Sequence, residues 1–348
     1  QQTIMDNAVS SLFRKAIEVR DSHTRPFVKA EKMLKFDPKP RIIQCRNPRY
    51  VAMCAKYLKR LEKPMFRAIN KVWGSTTVAK GLNGLQRGKL IAAKWKAIPN
   101  CIAIGIDATA FDQHVSVDAL LYEHSYYNGA YDSDELRRLL AWQLTNQGTG
   151  RCWDGKVRYK VQGKRMSGDL NTSLGNTLLM CSLVWSWARE VGLKCQFVND
   201  GDDGVLFIQR EELWRMTTFK TWFKTRGFDM KVEEPVDRLE RVEFCQCQPV
   251  LTSSEEYIMV RQPKNSLRKD VTSLITLDTR KAFETWTAAV ACCGLSLCTG
   301  MPVLESFYRA LQRVGGKAGN TRDNTAWQSG FAHMARGVCT EGNSITPE

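Results

Sequence analysis

The nine residues NDGDDGVLF, Asn199–Phe207, place three aspartates within four positions. Apolar segments of strand length flank them, KCQFV on one side and GVLFI on the other. Gly201 and Gly204 permit positive φ, as a tight turn requires. The stretch therefore predicts a β-hairpin whose turn presents Asp202 and Asp203 at a fixed point on a sheet edge.

Like charges held this close repel one another, so such a turn is costly unless a cation lies beside it. Hard oxygen ligands suit Mg²⁺ or Mn²⁺, but one turn rarely completes such a site. The buried strand predicted for NCIAIGID ends in Asp107, and Asp112 follows five residues later. Neighbouring strands would bring Asp107 beside Asp202, and two divalent ions on such carboxylates are the usual equipment for in-line phosphoryl transfer.

Two other interpretations of the aspartate turn stay open. Adjacent aspartates often serve only to form a turn. Asp200, Asp202 and Glu211 also have the spacing of positions one, three and twelve of a calcium-binding EF-hand loop. However, Gly204 and Val205 stand where that loop needs an oxygen ligand and a glycine, and strand-like segments flank the turn.

A second polar motif, SGDLNTSLGN, opens a segment of helical length that ends near Glu190. Thr172 and Asn176 are four residues apart and share one helix face, and Asp169 lies near the same face. The segment is also compatible with a simple N-cap followed by a solvated polar stripe. Beside an aspartate hairpin, the same polar face could instead contact the sugar hydroxyls of a nucleotide.

The charge of the chain indicates a polyanionic partner. The 348 residues carry a formal net charge of +15, and residues 25–67 contain thirteen lysines and arginines against three acidic residues. Neutralising phosphates is the usual use of such an excess. The twelve cysteines include no C-x-x-C pair, which argues against a zinc site and favours a reduced, intracellular protein.

The order of predicted elements is that of an α+β fold. A strand at 100–107 precedes a helix at 113–127, and residues 128–165 are polar and irregular. Helices are predicted for 169–190 and 211–227, short strands for 228–260, and mostly helices for the last ninety residues. The uncharged stretch 285–304 predicts a buried helix rather than a membrane span. Because the chain begins with Gln1, we expect a processed protein or a fragment.

The three motifs DATAFD, SGDLNTSLGN and GDD, in this order and spacing, resemble the palm motifs of viral RNA-dependent RNA polymerases. More specifically, the chain resembles the polymerases of the tombusvirus family (Tombusviridae) over about two-thirds of its length, from Lys29 to Gln262. The resemblance implies an RNA-directed nucleotidyltransferase with the right-hand fold of fingers, palm and thumb, in which the palm sheet is antiparallel. It also implies roles for seven residues: Asp107 and Asp202 as main metal ligands, Asp203 as a supporting ligand, Asp112 and Asn176 as the pair that selects the ribose 2′-OH, and Ser167 and Thr172 as residues that help to place nucleotide and template.

Further segments resemble the family's motifs less specifically. KPRIIQCRNPRY resembles the basic fingers motif, which implies four cations that hold the triphosphate: Lys39, Arg41, Arg46 and Arg49. In GFDMKVE, Lys231 would be the general acid that protonates pyrophosphate, although a solvated strand lysine fits the pattern as well. In EFCQCQPV, Cys245 would serve packing and not nucleophilic catalysis. Arg261, in YIMVRQP, would touch a nucleotide phosphate.

The resemblance also implies a division of the chain and a set of partners. Residues 1–99 would belong to the fingers, with the basic motif at 29–50; 100–127 and 165–250 to the palm; 128–164 to a fingers insertion; and 251–348 to the thumb. The partners would be RNA template and product, ribonucleoside triphosphates, Mg²⁺ or Mn²⁺, and a viral auxiliary replication protein. The family's longer proteins imply a location in the host cytoplasm, at membrane-bound replication complexes, with membrane association only through parts absent from this chain.

Two other functions stay open on the residues alone. A reverse transcriptase would share the palm, but it normally has tyrosine or a similar residue in place of Gly201 and a bulky steric gate in place of polar sugar contacts. A basic RNA-binding protein without catalysis would explain the charge of residues 25–67 equally well. It would leave one set of residues unexplained: Asp107, Asp112, Asn176 and Asp202.

Overall fold

The computed structural model describes residues 2–33, 36–298 and 300–315. Its α-helices are α1 (Gln2–Arg14), α2 (Pro48–Val72), α3 (Gly84–Lys96), α4 (Phe111–His114), α5 (Val117–Ala130), α6 (Asp134–Ala141), α7 (Thr172–Glu190), α8 (Phe219–Thr225), α9 (Pro263–Lys269), α10 (Arg280–Cys298) and α11 (Pro302–Gly315). Its strands are β1 (Thr24–Val28), β2 (Ile42–Arg46), β3 (Cys101–Ala108), β4 (Thr145–Arg151), β5 (Lys156–Gln162), β6 (Gln196–Asp200), β7 (Asp203–Gln209), β8 (Met230–Val232), β9 (Cys247–Leu251) and β10 (Tyr257–Arg261). Short 3₁₀ helices cover Val19–Ser22, Arg210–Thr218 and Leu239–Arg241.

The central sheet has the strand order β6-β7-β3-β8, and every neighbouring pair is antiparallel. Successive side chains of a strand point to opposite faces. Leu206 and Ile208 therefore enter the core formed with α7 and α8, whereas Val205 and Phe207 enter the core formed with α3. Both faces of the sheet are covered, which explains why residues 205–208 of β7 form an unbroken apolar run. The predicted α+β character is confirmed.

A second sheet joins the N-terminal segment to the middle of the chain in the order β2-β1-β4-β5. The prediction that residues 128–165 are irregular was wrong, because this stretch contains α6 and the β4–β5 hairpin. In α6, Leu136, Leu139 and Leu140 are buried against α2. The hairpin escaped notice because β4, TNQGTGR, has no large apolar residue, although β5, KVRYKVQ, does alternate polar and apolar residues.

Two predicted helices differ from the structure at their beginnings. The helix predicted at 113–127 is interrupted, because Val115 is extended and Ser116 caps α5 by accepting a hydrogen bond from the Ala119 N–H. The helix predicted from Asp169 begins only at Thr172. The segment 211–227 is a 3₁₀ helix followed by α8, so its helical character was predicted correctly, but not its type.

The C-terminal unit consists of the β9–β10 hairpin and helices α9, α10 and α11. Within the described part of the chain, no helix has the length and apolar character needed to cross a membrane. The stretch 285–304, predicted as one buried helix, covers most of α10 and the first residues of α11, so the buried helix is present but ends earlier than predicted. Trp286 and Val290 of α10 pack with Tyr308 of α11. The last part of the segment predicted to be mostly helical, residues 316–348, lies outside the described residues.

Candidate functional site

The predicted aspartate hairpin is confirmed, and a buried asparagine holds its turn. Asp200 of β6 pairs with Asp203 of β7. The Asn199 side chain is inaccessible to solvent; it donates hydrogen bonds to the Gly201 and Asp203 carbonyls and accepts one from the Gly201 N–H. Gly201 has φ +84°, as predicted, but Gly204 lies within β7 outside the left-handed region. The expectation that both glycines need positive φ was therefore wrong for Gly204.

Asp200 belongs to the support of the turn. Its carboxylate forms ion pairs with Lys80 and with Arg87, whose Nη2 lies 2.5 Å from Oδ2. Burial opposes the ionisation of Asp200, but these two cations outweigh it and lower the pKa of the carboxyl group below its ordinary value. Glu211 accepts a hydrogen bond from Asn100 instead of facing the turn. The hairpin is therefore no EF-hand loop.

Three carboxylates approach one another where β3 lies beside β7. Ile106 is paired with Gly204, so the chain brings Asp107 next to the turn that carries Asp202 and Asp203. Asp202 is exposed, yet the surrounding protein still removes part of its hydration, and this desolvation together with Asp107 raises its pKa. Desolvation and the charges of Asp202 and Asp107 raise the pKa of Asp203 to about 6. The predicted proximity of Asp107 and Asp202 is thus present.

The carboxylates have the donor chemistry of a Mg²⁺ or Mn²⁺ site, because hard divalent ions prefer oxygen ligands. Their mutual repulsion would be relieved by such an ion. Among the described residues, however, no three His, Cys, Asp or Glu side chains are gathered closely enough to form a ready-made metal site. Lys231, paired with Asp107 across β3 and β8, places its Nζ 3.4 Å from Asp107 Oδ2 and is largely exposed.

Asp112 and Asn176 meet beside these carboxylates. Asn176 Nδ2 donates a 2.8 Å hydrogen bond to Asp112 Oδ1. Burial raises the pKa of Asp112, and the hydrogen bond from Asn176 partly opposes this rise. Asp202 interacts electrostatically with Asp112, so the pair lies within range of the hairpin turn. The structure thus brings together the two residues predicted to contact the ribose.

The turn before α7 uses its hydroxyl groups internally. Ser167 Oγ accepts a hydrogen bond from the Gln44 N–H. Thr172 Oγ1 is within donor distance of the Met166 and Asp169 carbonyl oxygens. The prediction that Asp169 lies near the helix face of Thr172 and Asn176 was wrong. Its side chain is buried, and the residue precedes α7. Both hydroxyl groups therefore shape the turn, and their predicted contacts with nucleotide and template stay predictions.

The four cations of the basic motif do not share one surface. Lys39 and Arg41 are exposed, and Arg41 lies 3.2 Å from Glu31. Arg46 is buried, with its guanidinium committed to Asp169, to Asn146 Oδ1 and to the Ser22 carbonyl. In this arrangement Arg46 cannot reach a triphosphate, which corrects the expectation for that residue.

Arg49 and Arg261 are also engaged within the protein. Arg49 donates to Asp21, to Ser11 and to the carbonyl oxygens of Lys15 and Ala16. Arg261 lies 2.9 Å from Asp270 Oδ2. Burial raises the pKa of the Cys245 thiol, which therefore stays protonated near neutral pH, as expected of a packing residue.

A basic cleft of about 1000 Å³ lies between α1 and the second sheet. Its wall includes the cations Arg14, Lys15, Arg20, Arg25, Arg49 and Arg151, together with the acidic residues Glu18 and Asp21. The β4–β5 hairpin extends from this wall, and its tip carries Trp153, which is 98% exposed. A cationic groove combined with an exposed aromatic ring on a neighbouring hairpin is an arrangement used to bind single-stranded nucleic acids.

Sequence reasoning missed the residues that support the site: Asn199, Lys80, Arg87, Arg165 and Glu123. Asn199 had a local signal, since an asparagine before a turn commonly bonds to the backbone two residues on. The others are distant in sequence from the groups they hold, as with Arg87 and Asp200, which are 113 residues apart. The basic cleft was anticipated only as charge in residues 25–67.

Comparisons with known proteins agree with this geometry. The model of a family described as viral RNA dependent RNA polymerase matches residues 1–346. Similar proteins include the RNA-directed RNA polymerase of Tobacco necrosis virus (strain A), which is 45% identical over 99% of this chain and 48% of its own length. The RNA-directed RNA polymerase of Turnip crinkle virus is 42% identical over 96% of this chain and 44% of its own length. The RNA-directed RNA polymerase of Tomato bushy stunt virus (strain Cherry) is 44% identical over 86% of this chain and 37% of its own length. The chain therefore spans less than half the length of these relatives. The resemblance to the tombusvirus polymerases is confirmed.

Proposed function

This chain belongs to the family of viral RNA-dependent RNA polymerases, and we propose that it catalyses template-directed synthesis of RNA from ribonucleoside triphosphates. The observation that carries the proposal is the meeting of Asp107 with the Asp202–Asp203 turn across β3 and β7. The bonded pair Asp112 and Asn176 lies beside them. Carboxylates and sugar-selecting polar groups are both needed for this reaction.

In the proposed mechanism, Asp107 and Asp202 would hold the divalent ions, with Asp203 as a supporting ligand. Bound there, Mg²⁺ or Mn²⁺ would supply the positive charge that activates a 3′-hydroxyl and stabilises the departing pyrophosphate. Asp112 accepts a hydrogen bond from the ribose 2′-OH, and Asn176 donates one to it. Lys231, on the strand beside Asp107, protonates the pyrophosphate. Ser167 and Thr172 shape the turn before α7, the helix that carries Asn176, and through it help to place nucleotide and template.

The proposed layout is the right hand of a polymerase. The central sheet with α5 and α7 would form the palm, the second sheet with α2 the fingers, and the C-terminal unit the thumb. Single-stranded RNA would reach the palm along the basic cleft, where Arg25 and Arg151 contact phosphates, and Trp153 at the tip of the β4–β5 hairpin stacks on a base. Lys39 and Arg41 remain available to a triphosphate, and Arg261 reaches a nucleotide phosphate only if its ion pair with Asp270 opens.

The proposal extends to the setting of the enzyme. It places the chain in the host cytoplasm, at membrane-bound viral replication complexes, with an auxiliary viral protein as partner and with membrane association assigned to segments outside residues 1–348. Expression of the chain alone and of a longer polymerase, each with a fluorescent tag, tests this. Membrane enrichment of the short chain without other viral proteins would contradict it.

The test of the activity is nucleotide incorporation. The purified chain receives an RNA template, labelled ribonucleotides and either Mg²⁺ or Mn²⁺. We expect a template-dependent product from the wild type that a chelator abolishes. Asp202→Ala should yield none while still binding RNA, whereas the matched control Asp278→Ala, at an exposed position, should act like the wild type.

Other outcomes separate the competing functions. Preferential incorporation of deoxynucleotides would favour a reverse transcriptase. Strand annealing without nucleotides, and no product even from a longer polymerase that contains this chain, would favour an RNA-binding protein without catalysis. Loss of RNA binding by a folded Asp202→Ala variant would contradict the assigned role of Asp202.

A further inference from the structure

A buried ion pair stands directly behind the residues proposed to contact the ribose. Arg165 and Glu123 form it, and neither side chain is accessible to solvent. Arg165 Nε also donates a 3.1 Å hydrogen bond to Asn176 Oδ1. The backbone N–H of Arg165 donates a 2.8 Å hydrogen bond to the Asp112 carbonyl oxygen. Arg165 therefore contacts both members of the Asp112–Asn176 pair.

We propose that Arg165, held by Glu123, is a positioning residue that sets the orientation of the Asn176 amide and thereby the preference for ribonucleotides over deoxyribonucleotides. The inference rests on the proposed polymerase function and names a determinant of its substrate class. Neither Arg165 nor Glu123 contacts the nucleotide in this proposal. Both act through Asn176.

The chemistry of the amide explains why an arginine is needed. The two ends of an asparagine side chain are nearly equal in shape, so hydrogen bonds decide which end points where. A guanidinium only donates, and it therefore selects the Asn176 oxygen. The Asn176 NH₂ group is then left to face Asp112, which accepts one of its hydrogens. The second hydrogen remains to meet a 2′-hydroxyl. The reversed amide would present its oxygen to a carboxylate and be repelled.

Glu123 explains why Arg165 does not move to Asp112 instead. An unpaired guanidinium in the interior would be drawn to the nearest carboxylate. Glu123 supplies that carboxylate, and its Oε1 accepts further hydrogen bonds from Tyr127 (2.8 Å) and Asn171 (2.6 Å). The pair also requires Gly175, because a Cβ there would collide with both charged groups. The Asp112 carboxylate consequently keeps one oxygen for substrate.

The test measures ribose preference as the ratio of kcat/KM for ATP to kcat/KM for dATP on one RNA template. Arg165→Lys keeps the positive charge beside Glu123 but loses the Nε–H group. A second variant, Glu123→Leu with Arg165→Met, removes both charges and leaves no unpaired buried ion. We expect each to lower the ratio by about tenfold to a hundredfold. The fall should come from a lower kcat/KM for ATP. The kcat/KM for dATP should stay nearly unchanged, because dATP lacks the 2′-hydroxyl that Asn176 contacts.

A double-mutant cycle separates positioning from mere structural support. Asn176→Ala should lower the ratio by itself, and adding Arg165→Lys should lower it no further, because Arg165 acts through Asn176. Equal losses for ATP and dATP, additive effects, or an unchanged ratio would overturn the inference while leaving the polymerase proposal intact. No incorporation of either nucleotide by the wild type, alone or within a longer polymerase, would overturn both. Circular dichroism confirms that each variant is folded.

Discussion

Replacing Arg46 by methionine should lower the free energy of unfolding of the protein without changing its KM for ribonucleotides. The guanidinium of Arg46 and the carboxylate of Asp169 are each 1% exposed. Arg46 also donates 2.6 Å hydrogen bonds to Asn146 Oδ1 and to the Ser22 carbonyl. These contacts join β2, the turn before α7 and the start of β4. A surface cation that binds triphosphates would have no such partners.

The size of the stability loss follows from the charge that the substitution leaves unpaired. Without Arg46, the Asp169 carboxylate is buried with no opposite charge, and breaking a buried ion pair in this way costs about 3–5 kcal/mol. The paired variant Arg46→Met with Asp169→Leu removes both charges and should recover most of that loss. Arg41→Met is the matched control, because Arg41 lies on the same segment with a side chain 70% exposed. Its effect should stay within about 0.5 kcal/mol.

The assay combines thermal melting, followed by circular dichroism, with nucleotide kinetics. Arg46→Met should melt several degrees below the wild type, with the paired variant between them. At a temperature where all variants are folded, the KM for ribonucleotides should match that of the wild type. An unchanged melting temperature together with a KM raised for all four ribonucleotides would refute this reasoning. It would show instead that Arg46 contacts the triphosphate.

Three further predictions concern the turn, the cleft and a buried lysine. Asn199→Ala should destabilise the hairpin turn by about 1–3 kcal/mol, because two backbone carbonyls lose their donor; a melting temperature equal to that of the wild type would contradict this. At the tip of the β4–β5 hairpin, Trp153→Ala should weaken single-stranded RNA binding in fluorescence anisotropy more than Trp153→Phe. In the cleft, joint replacement of Arg25 and Arg151 should make log Kd less dependent on log salt. Equal effects of the two Trp153 variants would rule out stacking. Burial lowers the pKa of Lys94 from 10.5 to about 8. Between these pH values the unfolded state therefore binds more protons than the folded state. The free energy of unfolding attributable to Lys94 should rise as the pH increases from about 8 to 10.5. Thermal melts across this range should show the rise relative to Lys94→Gln, and parallel curves would disprove it.

The parts of the site that were predictable are those encoded over short distances. The hairpin turn with Asp202 and Asp203 followed from turn residues between two apolar runs, since both signals lie within fifteen residues. The proximity of Asp107 followed from a buried strand that ends in a carboxylate. Asn176 followed from helical spacing, but its contact with Asp112 bridges 64 residues and needed the fold.

The parts that were missed depend on burial, which sequence alone does not reveal. Arg46 and Asp169 are 123 residues apart, and nothing local distinguishes Arg46 from the exposed Arg41. The β4–β5 hairpin was missed because β4 contains only polar residues and glycines, so the alternating strand β5 had no recognisable partner beside it. Ser116 interrupted a predicted helix because its side chain caps α5, which a pattern of apolar residues does not register.

Three buried arginines give the positive charge of this chain a second use. Each holds a carboxylate: Arg46 holds Asp169, Arg87 holds Asp200, and Arg165 holds Glu123. Arginine stays protonated when buried and bonds in a fixed planar geometry, so it orients what it touches more strictly than lysine does. The first two pairs fix the turn before α7 and the aspartate hairpin, and the third fixes Asn176. The arginine content of such a sequence therefore overestimates the cationic surface available to RNA, because some of the arginines are buried in ion pairs that hold the site in shape.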